Sequence, residues 1–251
     1  PIACGVIRSI DIRDAKSMPG VVNIFTAQDM AADGVTHMLD TAKPVRDDGG
    51  TVINPRRPIL NSSDIKHLGE PIAIIIAQTS EQADNALEAI FVDYSDSDSA
   101  LLSSENTDSP LVWPEGQDNY ASYHHVGDAT KLQEAEANAA HLITVPIHIS
   151  RITAVAMEPR ISLCDIDPEG KLIFTTSTQN PFALRAEIMK TFSLETANIQ
   201  VIAPDVGGSF GMKGTLYRED AALIWASRKI GRALCWSASR SEAFILSLIH
   251  I

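Results

Sequence analysis

The sequence predicts a chain of the α/β (α+β) class built as two units, and three observations lead there. A strand, a helix and a second strand follow one another closely over residues 72–94. Residues 95–120 are then rich in Ser, Asp and Pro and almost free of hydrophobic pattern, which marks a linker. Beyond it, alternating strands and helices resume as far as Ser237. With 45% hydrophobic and 21% charged residues, the 251-residue chain has the balance of a globular protein and ample material for a core. Its longest apolar runs, such as Ile72–Ala77, are far too short to span a bilayer.

Taken in order, Cys4–Ile10 is apolar and β-branched enough for a strand, with a helical turn at Asp14–Ser17. The Met18-Pro19-Gly20 turn leads into a strand over Val21–Phe25, and Thr26 with Asp29 has the spacing of a helix start. Residues 40–66 scatter Gly, Pro and Asp without periodicity and read as loop. After the Ile72–Ala77 strand, Thr79 and Gln82 cap a helix whose apolar stripe is Ala83, Ala86, Leu87 and Ile90. Phe91–Tyr94 is the next strand. In the second unit a helix is expected over Ala129–Ala140. Ile143–Ile149 alternates apolar and polar residues as a strand with one buried face, with Pro146 placing it at an edge or bulge. Ile161–Ile166 and Lys171–Ser177 flank a Pro168-Glu169-Gly170 turn and pair as a hairpin. Pro181–Phe192 is an amphipathic helix with Pro in its first turn, Ile199–Ala203 a strand, and Leu216–Ile230 a helix stopped by Gly231. Ala233–Ser237 is a last strand, with Ser239 or Ser241 to cap the segment after it.

Charge is uneven. Residues 67–130 contain no Lys or Arg but 12 Asp and Glu, which accounts for the net charge of −12. An acidic surface repels phosphate backbones, so nucleic acid is not an expected ligand. Cys4, Cys164 and Cys235 are far apart and show no metal-site spacing, so free thiols are expected and no zinc or iron–sulfur site on this chain. The chain opens at Pro1 without Met or a recognisable export signal, and the apolar Leu246–Ile251 finish reads as an artefactual tail on a fragment. Cytoplasmic location is the expectation.

Chemistry concentrates in Asp205-Val-Gly-Gly-Ser-Phe-Gly-Met-Lys-Gly214. Four of the eight residues from Gly207 to Gly214 are glycine, placed between a strand and a helix. Missing Cβ atoms let backbone N–H groups approach a bulky anion or a metal-bound group closely. The spacing fits neither the Walker loop nor GxGxxG. A plain strand-to-helix turn needing positive φ explains the glycines equally well. In Met157-Glu158-Pro159-Arg160 a Glu–Arg pair could orient a ligand or form a solvated ion pair. Gln179, at a strand end, either reaches a ligand or caps the following helix. His124 and His125 are adjacent and cannot share a metal on a strand, His148 is a surface histidine, and no Ser–His–Asp set is evident.

Together these segments resemble the molybdopterin-binding large subunit of the xanthine dehydrogenase and aldehyde oxidase family, most of all its carbon-monoxide-dehydrogenase-like aldehyde oxidoreductase branch. Ser17-Met-Pro-Gly-Val-Val-Asn-Ile-Phe-Thr26 and Leu68-Gly-Glu-Pro-Ile-Ala73 resemble the family's α/β hammerhead domain. Met157–Arg160, Ser177-Thr-Gln179, Val201–Lys213 and Arg240-Ser-Glu-Ala-Phe244 resemble its first molybdenum-binding region. The resemblance implies a hammerhead domain over 1–95, a linker over 96–128, the first part of a molybdopterin-binding domain over 129–245, and the tail 246–251. It implies cofactor contacts from Gly207, Gly208, Phe210, Gly211 and Gln179, with no side chain here ligating the metal. The cofactor it implies is molybdenum on molybdopterin in its cytosine dinucleotide form. The expected partners are an iron–sulfur (2Fe-2S) small subunit and an FAD-binding medium subunit, and the reaction is hydroxylation of an aldehyde or aromatic heterocycle with oxygen from water. The family's general base, a glutamate near the far C-terminus, has no match here, so the fragment alone is expected to be inactive. A Gln that members often carry before the Met-Glu-Pro motif is replaced by Arg151 and Thr153, and Ser209 stands where Gly is commoner. These departures leave a metal-free binding or assembly subunit, or an inactive product, as the alternative. Gly214 stands where purine-hydroxylating members have Glu, which argues against xanthine as substrate.

Overall fold

A computed structural model of the chain describes residues 2–39, 44–54, 56–100, 108–149 and 152–245. The tail 246–251 and Arg151 lie outside the described residues. The first unit holds β1 (Gly5–Asp11), α1 (Arg13–Lys16), β2 (Val21–Thr26), α2 (Ala27–Ala32), β3 (Asp64–Ile65), β4 (Ala73–Ala77), α3 (Ser80–Glu88) and β5 (Phe91–Asp96). Local signals set its helices. The Thr26 amide donates to Asp29 Oδ2 (2.8 Å) at the start of α2, and Thr79 Oγ1 accepts the Gln82 amide (3.2 Å) at the start of α3.

The strands form two antiparallel sheets, ordered β3-β1-β5 and β2-β4. The strand–helix–strand run therefore crosses between sheets: β4 pairs with β2, and β5 returns to β1. The α3 stripe is narrower than its pattern. Ala86 is buried against Ala15 and Ile24, whereas Leu87, one position further around the helix, is 62% exposed.

The second unit holds α4 (Ala129–Asn138), β6 (Ile161–Ile166), β7 (Leu172–Thr176), α5 (Pro181–Phe192), β8 (Ile199–Ile202), α6 (Arg218–Ile230), β9 (Leu234–Ser237) and α7 (Arg240–Ile245). Its sheet runs β8-β7-β6-β9. The β6–β7 hairpin forms as expected, and α5 carries the chain over to β8, which is parallel to β7. Asn180 caps α5 by accepting the Ala183 amide (3.1 Å), Gly231 ends α6 in the left-handed region (φ 64°), and Ser239 rather than Ser241 caps α7.

One expected strand is absent. Residues 143–149 form no regular element and pair with nothing among the described residues, and Val145 is the least exposed of their four apolar side chains at 67%. Alternation supplies a β-like face, but a strand needs a ladder and a layer to bury that face, and neither reaches this segment. Residues 108–125 have no regular element yet are held down. The buried Arg46 guanidinium pairs with Asp48 and Asp118 (2.7 and 2.9 Å), and His124 Nδ1 lies 2.6 Å from Asp47.

The two units share one core. Phe25, Met30, Met38, Ile59, Leu60 and Ile76 of the first pack in the same cluster as Phe174, Ile188, Ile224 and Trp225 of the second. Trp225 meets Phe25 edge to face at 4.9 Å, and its indole N–H donates to Asp33 (3.1 Å), which also holds Lys229 (2.8 Å). Glu70, in the Leu68–Ala73 segment, is buried against Asn61 and lies 3.5 Å from Arg218 at the start of α6.

Candidate functional site

The glycine-rich segment links β8 to α6 as an arch. Its feet are tied to two neighbouring strands of chain. On one side Glu158 and Gly207 exchange contacts: the Glu158 amide donates to the Gly207 carbonyl (3.2 Å), and the Gly207 amide donates to Glu158 Oε2 (2.9 Å). The same carboxylate oxygen accepts from Lys213 Nζ (2.7 Å), and the Lys213 side chain is fully buried. On the other side the Lys213 carbonyl accepts from the Gln179 amide and from Thr178 Oγ1 (3.0 Å each). Ser209 Oγ bridges the two sides: it donates to Gln179 Oε1 and accepts the Lys213 amide (3.2 Å).

The top of the arch is free. The amides of Ser209, Phe210 and Gly211 donate to no group among the described residues. Phe210 sits in the left-handed region (φ 53°), flanked by Gly208 (φ 94°) and Gly211 (φ 95°). A phenylalanine adopts this conformation only where its surroundings impose it. Successive N–H groups in such a curl make a concave anion-binding surface. Phe210 is 73% exposed, so burial of its side chain is not what holds the strained backbone. Gly207 and Gly208 have structural reasons to lack side chains: a Cβ on Gly207 would lie 2.5 Å from Glu158 Cβ, and one on Gly208 3.1 Å from the Phe210 ring.

Gly207, Gly208, Phe210, Gly211 and Gln179, the five residues expected from the sequence, are therefore neighbours in one small structure. The pairing suggested for Glu158 and Arg160 does not form. Glu158 lies in a bend ahead of β6 and is taken up by Gly207 and Lys213, so Arg160 finds its own partner. Arg160 is buried, stacks on the Tyr217 ring at 3.6 Å and pairs with Glu219 (3.1 Å). Beside it Asp220 is buried, accepts from Ser162 Oγ (2.6 Å), and has its carboxyl pushed up by burial. The cavity among Arg160, Ser162, Thr176 and Asp220 is about 10 Å³, room for a single water. A larger ligand must therefore meet the arch from its exposed side. Sequence reasoning missed the Glu158–Lys213 pair, whose partners are too far apart in the chain for any local pattern. The one available sign was a lone lysine closing a glycine-rich loop. Among the described residues no group of three His, Cys, Asp or Glu side chains could hold a metal, and no helix is long and apolar enough to cross a membrane.

The Lys213 ammonium holds the Glu158 carboxyl below its ordinary value, with help from the Gly207 amide and against partial desolvation. A depressed folded-state pKa gives stabilisation that is complete above the ordinary glutamate value and is lost as pH falls through the depressed one. Thermal unfolding of Glu158→Gln against wild type is therefore expected to show a deficit at pH 7 that closes in acid, below about pH 4. A deficit constant across that range contradicts the pairing.

Two family matches cover most of the chain. Residues 1–98 match the α/β hammerhead domain of aldehyde oxidase and xanthine dehydrogenase, and residues 112–249 match the molybdopterin cofactor-binding domain. The nicotine 6-hydroxylase large subunit of Paenarthrobacter nicotinovorans is 26% identical over 249 residues, covering 96% of this chain and 29% of that protein. The carbon monoxide dehydrogenase large chain of Hydrogenophaga pseudoflava is 24% identical, covering 96% of this chain and 31% of its own length. Among solved structures, quinoline 2-oxidoreductase from Pseudomonas putida 86 superposes with a TM-score of 0.83 at 25% identity, over 97% of this chain and 30% of that one. The chain thus spans about a third of the length of these relatives.

Proposed function

The chain belongs to the aldehyde oxidase and xanthine dehydrogenase family, with a hammerhead domain followed by molybdopterin cofactor-binding sequence, and on that premise we propose that it is part of the large subunit of a molybdenum hydroxylase. The reaction proposed is hydroxylation of an aldehyde or aromatic heterocycle with oxygen from water, in a cytoplasmic complex. Electrons pass to a 2Fe-2S small subunit and an FAD-binding medium subunit. The observation that carries this reading is the arch with three consecutive unengaged amides.

The residues present fit such a group. The concave amide surface suits an anionic oxo or dithiolene ligand, and the missing Cβ atoms at Gly207 and Gly208 let Glu158 and the Phe210 ring pack close enough to hold that curl. When bound, molybdenum on molybdopterin (proposed as the cytosine dinucleotide form) supplies the two-electron acceptor. The chain's own part is positional. Ser209, Phe210 and Gly211 present N–H donors, and Gln179 is oriented by its bond from Ser209. The general base is proposed to come from outside these residues, so the 251 residues by themselves are expected to be inactive. A heterocycle is favoured by the names of the nicotine and quinoline relatives, and Gly214 offers no carboxylate to a purine.

The test is turnover by the full-length polypeptide, co-expressed with its neighbouring subunits, in heavy-oxygen water. N-heteroaromatic and aldehyde substrates are supplied with a dye as electron acceptor. Product carrying the label from water is the expected result. A molybdenum-loaded complex that oxidises neither class, or that takes its oxygen from dioxygen, overturns the reading.

A further inference from the structure

We infer that Glu158 and Lys213 are positioning residues, an ionic clasp buried at Lys213 and partly exposed at Glu158, that sets the direction of the free amides at the top of the arch. The inference rests on the proposed function and goes beyond it by naming what holds the loop ready. A single oxygen, Glu158 Oε2, takes both the Gly207 amide (2.9 Å) and the Lys213 ammonium (2.7 Å). Residues 207 and 213 are the two feet of the arch, so one atom draws both together and the intervening backbone must bulge. That bulge contains the left-handed Phe210 and its free neighbours.

Two further features favour positioning over simple bracing. Lys213 is wholly buried with its charge, an arrangement that an apolar pair would make at no greater cost to stability. What an ionic pair adds is direction, since an ammonium and an amide converging on one oxygen fix angles as well as distances. The second feature is that Lys213 is engaged at every polar group: its ammonium on Glu158, its amide on Ser209, and its carbonyl on Thr178 and Gln179. Gln179 is thereby locked to the same residue that closes the arch.

The experiment compares Glu158→Gln, Lys213→Met and Lys213→Arg with wild type in the full-length polypeptide. Glu158→Gln is nearly isosteric and guards against a variant that simply fails to fold. Hydrogen exchange at residues 207–213, molybdenum per polypeptide, and the electron paramagnetic resonance signal of the half-reduced metal are read together. Glu158→Gln and Lys213→Met are expected to exchange roughly tenfold faster in this segment alone. Both are expected to lose molybdenum by about tenfold, and the residual metal gives a shifted signal. Lys213→Arg is expected to recover part of each. Unchanged exchange overturns the clasp. Faster exchange with wild-type metal content and signal overturns its positioning role. Should wild type itself carry no molybdenum, the proposed function falls, and exchange alone decides whether the clasp holds the arch.

Discussion

Replacing Gly207 with alanine is expected to strip the full-length polypeptide of most of its molybdenum while leaving the rest of the fold in place. The added methyl would sit 2.5 Å from Glu158 Cβ, an atom fixed close to the backbone that cannot swing away. Either the strap at Glu158 or the foot of the arch must move, and the bonds from the Gly207 amide and Lys213 to Glu158 loosen together. Overpacking of this kind costs about 1–3 kcal/mol of stability, and the misdirected amides lower metal retention by roughly tenfold. Gly214→Ala is the internal comparison. Its methyl would press on the Gln179 side-chain nitrogen at 3.2 Å and so disturb one proposed cofactor contact without touching Glu158, and a smaller loss of metal is expected. Metal analysis of the two purified variants distinguishes them, and equal losses would mean that contact with Glu158 is not what excludes a side chain at position 207.

Trp225→Ala is expected to be the most destabilising single change. The indole is 4% exposed, meets Phe25 edge to face at 4.9 Å and hydrogen-bonds Asp33, so its removal opens a cavity where the two units share their core. A loss of about 3–5 kcal/mol is expected from such a truncation, or a fall of roughly 10 °C in melting temperature for a chain of this size. Trp225→Phe keeps most of the packing and loses the bond to Asp33, for about 1 kcal/mol. Calorimetry of both variants checks the ordering. A Trp225→Ala protein that melts within a degree or two of wild type would show that the two halves do not depend on one core.

Most helices were legible because their signals are local. Thr79 with Gln82, Pro181, and Gly231 each act within one turn, and the Pro168–Gly170 turn pairs β6 with β7 across a short gap, although the cap of α5 is Asn180 and not Gln179. The order of strands in the first unit was not legible, since β1 pairs with β5 across most of the unit and no adjacent pattern encodes that. Ile143–Ile149 misled because alternation describes a face and says nothing about what covers it. Leu87 misled for a related reason: a stripe counts apolar residues, but contact depends on which of them meets a neighbouring element.

The site divides in the same way. The glycines, Phe210 and Gln179 stand out as residue types in a short stretch. The Glu158–Lys213 clasp, the Arg160–Glu219 pair stacked on Tyr217 and the Asp33–Trp225 bond all join residues brought together only by the fold.

The most direct test of the account is the molybdenum and pterin content of the full-length polypeptide, purified from a host that makes the cofactor. The account predicts metal and released pterin equimolar with the polypeptide. A folded, monodisperse polypeptide that carries neither would contradict it and leave the arch as a strand-to-helix turn in a metal-free binding subunit.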